Sequence, residues 1–273
     1  MKMKLYQRSI LHLLIILSIL IVGAPVILSI IISTQTPFQV YSYPPQFLPS
    51  NNFSNYVVAW KSVNLGRMMF NSFFIAIMVS LGKIILSLLA AFAFTHFKFP
   101  GKNILFFVVL VTLLLPIPVR IVALFDIMSK LKWIDTYWAL IVPFLASATG
   151  TFLFVQRFRQ VPVELLDAAK MDGCSPLRYL FQILIPLSAS TIGALTVIEF
   201  IYIWNQYLWP LMVTNSKHMR VVQIGVKMLV TSETMNNWGV IMAGVVMTMI
   251  PPLLVFFFMQ ESFMRGFALG SEK

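Results

Sequence analysis

The chain has 273 residues, 59% of them hydrophobic and 11% charged, with a formal net charge of +11. Soluble domains run near half apolar and about a quarter charged, so a water-soluble core is excluded as the destination of this much apolar surface. The Lys and Arg residues sit at segment ends rather than in a dense stripe, which argues against a nucleic-acid partner, and the single cysteine, Cys174, excludes an intrachain disulfide and a Cys-based metal cluster.

The apolar residues are concentrated in long runs, and about 20 such residues cross a hydrocarbon layer of roughly 30 Å. Six transmembrane helices are predicted, at residues 10–32, 68–94, 103–124, 138–158, 191–213 and 238–259, which puts both termini on one side of an integral all-α membrane protein. The first run follows Lys2, Lys4 and Arg8, but it is too long for the core of a signal peptide and has no small-residue cleavage site before Ser33. It reads as a retained helix. Residues 33–67 hold Pro37, Pro44, Pro45 and Pro49 among Asn and Ser, the composition of an external loop. The chain therefore divides into a first span with its loop, 1–66, and a five-helix core, 67–273, with a cytoplasmic loop at 160–190. Lys and Arg are modestly enriched in the loops on the N-terminal side, which favours a cytoplasmic N-terminus.

Inside the second span stands Lys83, and inside the fifth stands Glu199. Ionisable groups at membrane depth are costly and face a cavity or each other, and both residues fall at comparable depth, so an ion pair between them is expected. Arg120 is expected at the outer end of the third span. Toward the outer end of the fifth, Trp204, Asn205, Gln206, Tyr207 and Trp209 precede Pro210. Their flat faces and amides suit either a sugar-like solute or an interfacial aromatic belt. His12, His96 and His218 show no metal-ligand spacing, and no Gly-rich nucleotide loop is present.

The segment joining the fourth and fifth spans, QVPVELLDAAKMDGCSPLRYLFQILIPLS from Gln160, carries helix punctuation. Pro162 suits a first helical position, Glu164 suits the positive end of the helix dipole, and Gly173 suits the left-handed residue that ends a helix. A short helix over 162–171 is predicted, with Ser175 capping a second that starts at Pro176. Asp167, Ala168, Ala169, then Lys170, Met171 and Asp172, then Gly173, followed by Ile185, Pro186 and Leu187, resemble the EAA loop of ABC importer permeases, with Asp in place of the first acid. The stretches NSFFIAIMVSLGKIILSLLAAFAF from Asn71, LPIPVRIV from Leu115, ASATGTFLF from Ala146, IYIWNQYLWPLMV from Ile201 and the terminal SEK are similar to the permeases of Ugp-type sn-glycerol-3-phosphate importers. These belong to the wider carbohydrate-uptake family represented by the maltose permeases.

The resemblance implies a type I ABC importer permease in the bacterial inner membrane. It also implies a second permease, two copies of a cytoplasmic ATPase that bind the ATP and Mg, and a periplasmic or lipid-anchored solute-binding protein, with no cofactor held by this chain. It gives Glu164, Asp167, Ala168, Ala169, Asp172 and Gly173 to ATPase coupling. The two alanines are expected to allow close approach to the ATPase, while Asp167, Lys170 and Asp172 form rim ion pairs. The solute implied is glycerol-3-phosphate, with an uncharged mono- or oligosaccharide as the alternative. Lys83 and Arg120 would then counter a phosphate on a path shared with Glu199, Trp204, Asn205 and Tyr207, or serve as an ion pair and an interfacial anchor. A self-contained secondary transporter could use Lys83 and Glu199 as an ion path. A membrane transferase would need reactive groups clustered at an interface, whereas the acids here lie mainly in the coupling loop.

Overall fold

A computed structural model describes residues 5–114, 116–231 and 237–268, and the described residues contain helices and no strand. Lys2, Lys4, Leu115 and the terminal Ser271, Glu272 and Lys273 lie outside them. In chain order the helices are α1 (Leu5–Ser33), α2 (Pro37–Val40), α3 (Ser54–Ser62), α4 (Leu65–His96), α5 (Lys102–Val111), α6 (Ile117–Lys130), α7 (Tyr137–Ile141) and α8 (Ala148–Arg159). They continue as α9 (Val163–Met171), α10 (Pro176–Tyr179), α11 (Ile185–Leu187), α12 (Ala189–Trp204), α13 (Leu208–Val213), α14 (Val222–Thr231) and α15 (Trp238–Ala268).

Four segments, Ile10–Ser33, Leu65–His96, Tyr137–Arg159 and Trp238–Met264, are long and apolar enough to cross a membrane. With each of two bent pairs counted as one span, the described residues hold up to six: Lys102–Leu114 with Val119–Lys130, bent by 105°, and Pro176–Leu187 with Ala189–Trp204, bent by 75°.

Three expected helices are therefore interrupted. The helix expected over 103–124 breaks before α6, where Pro116 takes the extended ψ of 146°. Pro116 has no N–H to continue α5 and its ring would clash with the carbonyl four residues back, which is the physical reason. The helix expected over 138–158 is broken ahead of α8, whose N-cap is Ser147. The helix expected over 191–213 ends at Trp204 with Asn205 as its C-cap, and α13 restarts with Pro210 in its first turn, where a missing N–H costs nothing.

The described residues of Met1–Gly66 and Gly225–Ile250 form one compact unit, and those of Arg67–Ile224 and Pro251–Lys273 form another. In the first, the proline-rich stretch is ordered by buried amides rather than left as an open loop. Asn55 Nδ2 donates to Ser33 O at 2.9 Å and Gln35 O at 2.8 Å, and Gln35 Nε2 donates to Gln46 O at 2.8 Å and Leu48 O at 3.0 Å. Ala59 on α3 packs with Leu229, Val240 and Ile241. The apolar window of α1 has none of its residues buried within the chain, the condition of a helix whose side chains face lipid.

In the second unit Asn71 on α4 is fully buried. Its Nδ2 donates to His218 O at 2.6 Å and Arg220 O at 2.9 Å, while its Oδ1 accepts from the Tyr137 hydroxyl at 2.8 Å. A single side chain thus ties the α13–α14 connection to α4 and α7. The same connection is held by Asp135, which adopts a φ of 63°. Burial pushes its carboxyl up, but the N–H groups of Asn215 and Ser216 and the Ser216 hydroxyl outweigh that and hold it below the usual carboxylate value.

Helix α12 runs close against the C-terminal half of α15 at Gly193, where an added Cβ would collide with the Cβ of Ser262 and lie 3.6 Å from its Cα. Gly193→Leu is expected to cost about 1–3 kcal/mol by overpacking, read as a lower melting temperature of the detergent-solubilised protein. Gly23→Leu on the open face of α1, where nothing lies within 4 Å, should leave it unchanged. Equal melting of the two variants would refute the close packing.

Candidate functional site

Two polar constructions stand out of the apolar background, both within the second unit. The first is the expected ion pair, and it is present. Lys83 Nζ on α4 donates to Glu199 Oε2 on α12, with the two residues 6% and 5% exposed. A buried carboxylate needs both oxygens satisfied, and the second is met by a residue the sequence did not single out: Ser147 Oγ donates to Glu199 Oε1 at 3.0 Å. Ser147 is also the N-cap of α8, its Oγ accepting from Gly150 N at 3.0 Å, and its carbonyl accepts from the hydroxyls of Ser87 at 3.3 Å and Thr151 at 2.8 Å. One network therefore joins α4, α8 and α12. The signal for Ser147 was local, a Ser ahead of Gly150 and an apolar run, but its long-range partner was not visible.

The network forms the wall of an open cleft of about 370 Å³ whose lining includes Thr112, Arg120, Thr149 and Tyr202. A neighbouring hollow of about 430 Å³ shares Lys83, Arg120, Ser147 and Tyr202. Lys83 Nζ lies 5.1 Å from the centroid of the Tyr202 ring, a cation–π contact. The charged side chains lining the cleft are Lys83, Arg120 and Glu199, so it carries an excess of one positive charge. The break before α6 turns that helix sharply away from α5, and Arg120 stands in its first turns, beside Lys83 and Glu199.

Of the aromatic patch, Trp204 is buried within its own unit. It is 2% exposed and stacks on Phe200 at 5.9 Å, because the end of α12 turns its last ring into the chain's own core. Trp209 is equally buried, its Nε1 donating to Ala139 O at 2.9 Å. Asn205 is exposed, and its amide is used locally: Nδ2 donates to Ile201 O at 2.9 Å, and Oδ1 accepts from Gln223 Nε2 at 3.1 Å. Tyr207 is half-buried as the N-cap of α13. Neither Trp204, Asn205 nor Tyr207 lines the cleft.

The second construction is the loop from α8 to α12. Helical backbone starts at Val163, with Pro162 as the N-cap at ψ 138°, one residue later than the sequence suggests. Gly173 adopts φ 68°, and the turn is a full Schellman motif, with Gly173 N donating to Lys170 O at 3.0 Å and Cys174 N to Ala169 O at 2.9 Å. Ser175 Oγ then accepts from Arg178 N at 3.4 Å with Pro176 at the first helical position. Leu180–Leu184 widen into a π-turn just before Pro186, whose absent N–H removes one ordinary helical bond. At the bend the carbonyl of Leu187 is taken by the guanidinium of Arg157 from the end of α8, through Nε at 3.0 Å and through Nη2.

The two alanines of α9 part company. Ala169 is 7% exposed and packs in a cluster with Phe92, Phe158, Tyr179 and Leu180, so it secures α9 to its own chain. Ala168 is exposed, and at helical spacing Glu164, Asp167, Ala168 and Met171 form one outward face. Met171 is 88% exposed. Asp167 accepts from Lys170 Nζ at 3.2 Å, an ion pair within α9 itself. Asp172 is exposed as the C-cap and takes no part in that pair.

A set of apolar spans, a polar cleft walled by a buried ion pair, and a short helix with an exposed face in the loop between two spans fit a membrane transport subunit. Residues 83–268 match the family described as binding-protein-dependent transport system inner membrane component, and the chain belongs to that family. It is a multi-pass inner-membrane protein.

Among its relatives, it is 41% identical over 268 residues to the sn-glycerol-3-phosphate transport system permease protein UgpE of Agrobacterium fabrum, covering 95% of each chain. It is 38% identical over 270 residues to the UgpE of Escherichia coli strain 536, covering 96% of each. The fold is that of a bacterial ABC transporter involved in the import of the acidic polysaccharide alginate, at a TM-score of 0.84 and 20% identity over 96% of this chain and 99% of that one. A second alginate transporter structure, in complex with a pentasaccharide-bound periplasmic protein, matches at a TM-score of 0.67 and 14% identity over 93% of each chain.

Proposed function

We propose that this chain is one of two permease subunits of an ATP-driven importer that carries sn-glycerol-3-phosphate into the cytoplasm. The observation that carries the substrate is the 41% identity to a glycerol-3-phosphate permease over 95% of both chains. The positive excess in the cleft supports it, since a phosphomonoester carries about −1.5 to −2 charges near neutral pH. The partners are a second permease, two copies of a cytoplasmic ATPase holding ATP and Mg, and a solute-binding protein on the far side. Both termini and α9 face the cytoplasm, in keeping with the surplus of Lys and Arg in the loops on that side.

The chain's own part in transport follows from connectivity. The loop over 160–188 joins α8 to α12, and these two helices deliver Ser147 and Glu199 to the cleft. A displacement of α9 by a closing ATPase reaches both walls of the cleft through short, bonded connections, Arg157 to Leu187 being one. ATP-driven closure then biases an equilibrium between inward- and outward-open states.

The test is uptake into proteoliposomes by the complex purified through this subunit, with ATP inside, binding protein outside, and labelled glycerol-3-phosphate compared with labelled maltose. Uptake of glycerol-3-phosphate alone is expected. Uptake of maltose alone would retain the permease and overturn the substrate.

A further inference from the structure

We infer that Arg120 is the residue of this subunit that recognises the anionic phosphoryl group in the cleft, and that Lys83 and Glu199 form a charge-neutral strut that holds no solute. The inference rests on the glycerol-3-phosphate reading and adds to it the division of labour between the two cations.

Charge bookkeeping in the cleft decides between them. Lys83 is committed: it is 6% exposed, bonded to Glu199, and backed by the Tyr202 ring. Withdrawing it to meet a phosphate would leave the Glu199 carboxylate buried and unpaired beside the incoming anion, which is doubly unfavourable. The Glu199 carboxylate has both oxygens met, because Ser147 Oγ donates to the one that Lys83 leaves. Together Lys83 and Glu199 present no net charge to the cleft.

Arg120 differs on each count. It is exposed to the cleft, and it has no ion-pair or hydrogen-bond partner among the described residues. A guanidinium is always charged and presents donors in a fork that matches phosphate oxygens. An exposed Arg on a lipid-facing surface would serve as an interfacial anchor, but this one shares a lined hollow with Lys83, Thr112 and Ser147. The break before α6 is what brings it there. Discrimination for a charged solute over a neutral sugar then resides in one side chain, while the strut keeps the low-dielectric wall from repelling it.

The decisive measurement uses the complete importer in proteoliposomes, comparing wild type with Arg120→Gln and Arg120→Lys. Two quantities are read: uptake of labelled glycerol-3-phosphate, and ATP hydrolysis stimulated by the loaded binding protein. Losing a charge-assisted phosphate contact is worth about tenfold or more. Arg120→Gln is therefore expected to lower uptake about tenfold or more while stimulated hydrolysis, which reports a folded and coupled complex, stays within about twofold. Arg120→Lys should recover part of the uptake by supplying a point charge. Uptake by Arg120→Gln equal to wild type overturns the inference and leaves the substrate reading standing. Loss of stimulated hydrolysis in both variants also overturns it, because Arg120 would then be structural. A wild-type complex that ignores glycerol-3-phosphate overturns the substrate reading first.

Discussion

Glu199→Leu is expected to leave the complex barely stable, whereas Lys83→Leu/Glu199→Leu should melt near the wild-type temperature. The single change removes the acceptor of a Lys that is 6% exposed and takes a partner from Ser147. Breaking a buried pair costs about 3–5 kcal/mol because the remaining charge is stranded, while replacing both partners by apolar groups is neutral or stabilising. Inside a membrane protein the stranded cation has poor alternatives, since lipid offers no counter-charge. Thermal melting of the solubilised complex, followed by loss of the monodisperse peak on size exclusion, gives the comparison. The strut would be refuted by a Glu199→Leu variant as stable as wild type. The double variant also separates stability from transport: if it is stable and still imports glycerol-3-phosphate, the pair is a structural tie alone.

The other large effect is expected at Ala169. Ala169→Glu would place a carboxylate among Phe92, Phe158, Tyr179 and Leu180, and keeping it charged and buried against those apolar side chains would cost several kcal/mol. Helix α9 has only nine residues and relies on that contact for its position, so it should detach instead. Stimulated ATP hydrolysis and transport are both expected to fall by about tenfold or more, with the subunit still inserted in the membrane. Ala169→Ser, whose hydroxyl can bond within its own helix, should retain most activity. A fully coupled Ala169→Glu importer would show that α9 is held by the ATPase and not by its own chain.

These expectations separate what was readable from what was not. The apolar runs are long enough to announce spans, and Gly173 and Ser175 announce the ends of short helices, because such features depend on neighbours a few residues away. The outcome at Pro116 shows the limit of averaging: hydropathy over 103–124 reads as one continuous helix, while Pro116 imposes a local backbone restriction that apolar length does not override. The ordering of the segment after α1 was equally hidden. It depends on Asn55 and Gln35 reaching carbonyls up to 22 positions away in the chain, a relation that composition does not encode.

By itself the sequence determined that the chain is membrane-embedded, that its loop over 160–188 is built as two punctuated helices, and that Lys83 needs a partner such as Glu199. Each follows from short-range or compositional physics: the cost of exposing apolar surface, the backbone limits of Pro and Gly, and the cost of an isolated charge in a low dielectric. Only the tertiary structure decided which side each residue faces. It turned Ala169 inward and Ala168 outward, buried Trp204 against Phe200, brought Ser147 to the free oxygen of Glu199, and left Arg120 as the cation in the cleft without a partner among the described residues. Those assignments depend on the packing of helices far apart in the chain, where half a turn of rotation exchanges a core position for a surface one.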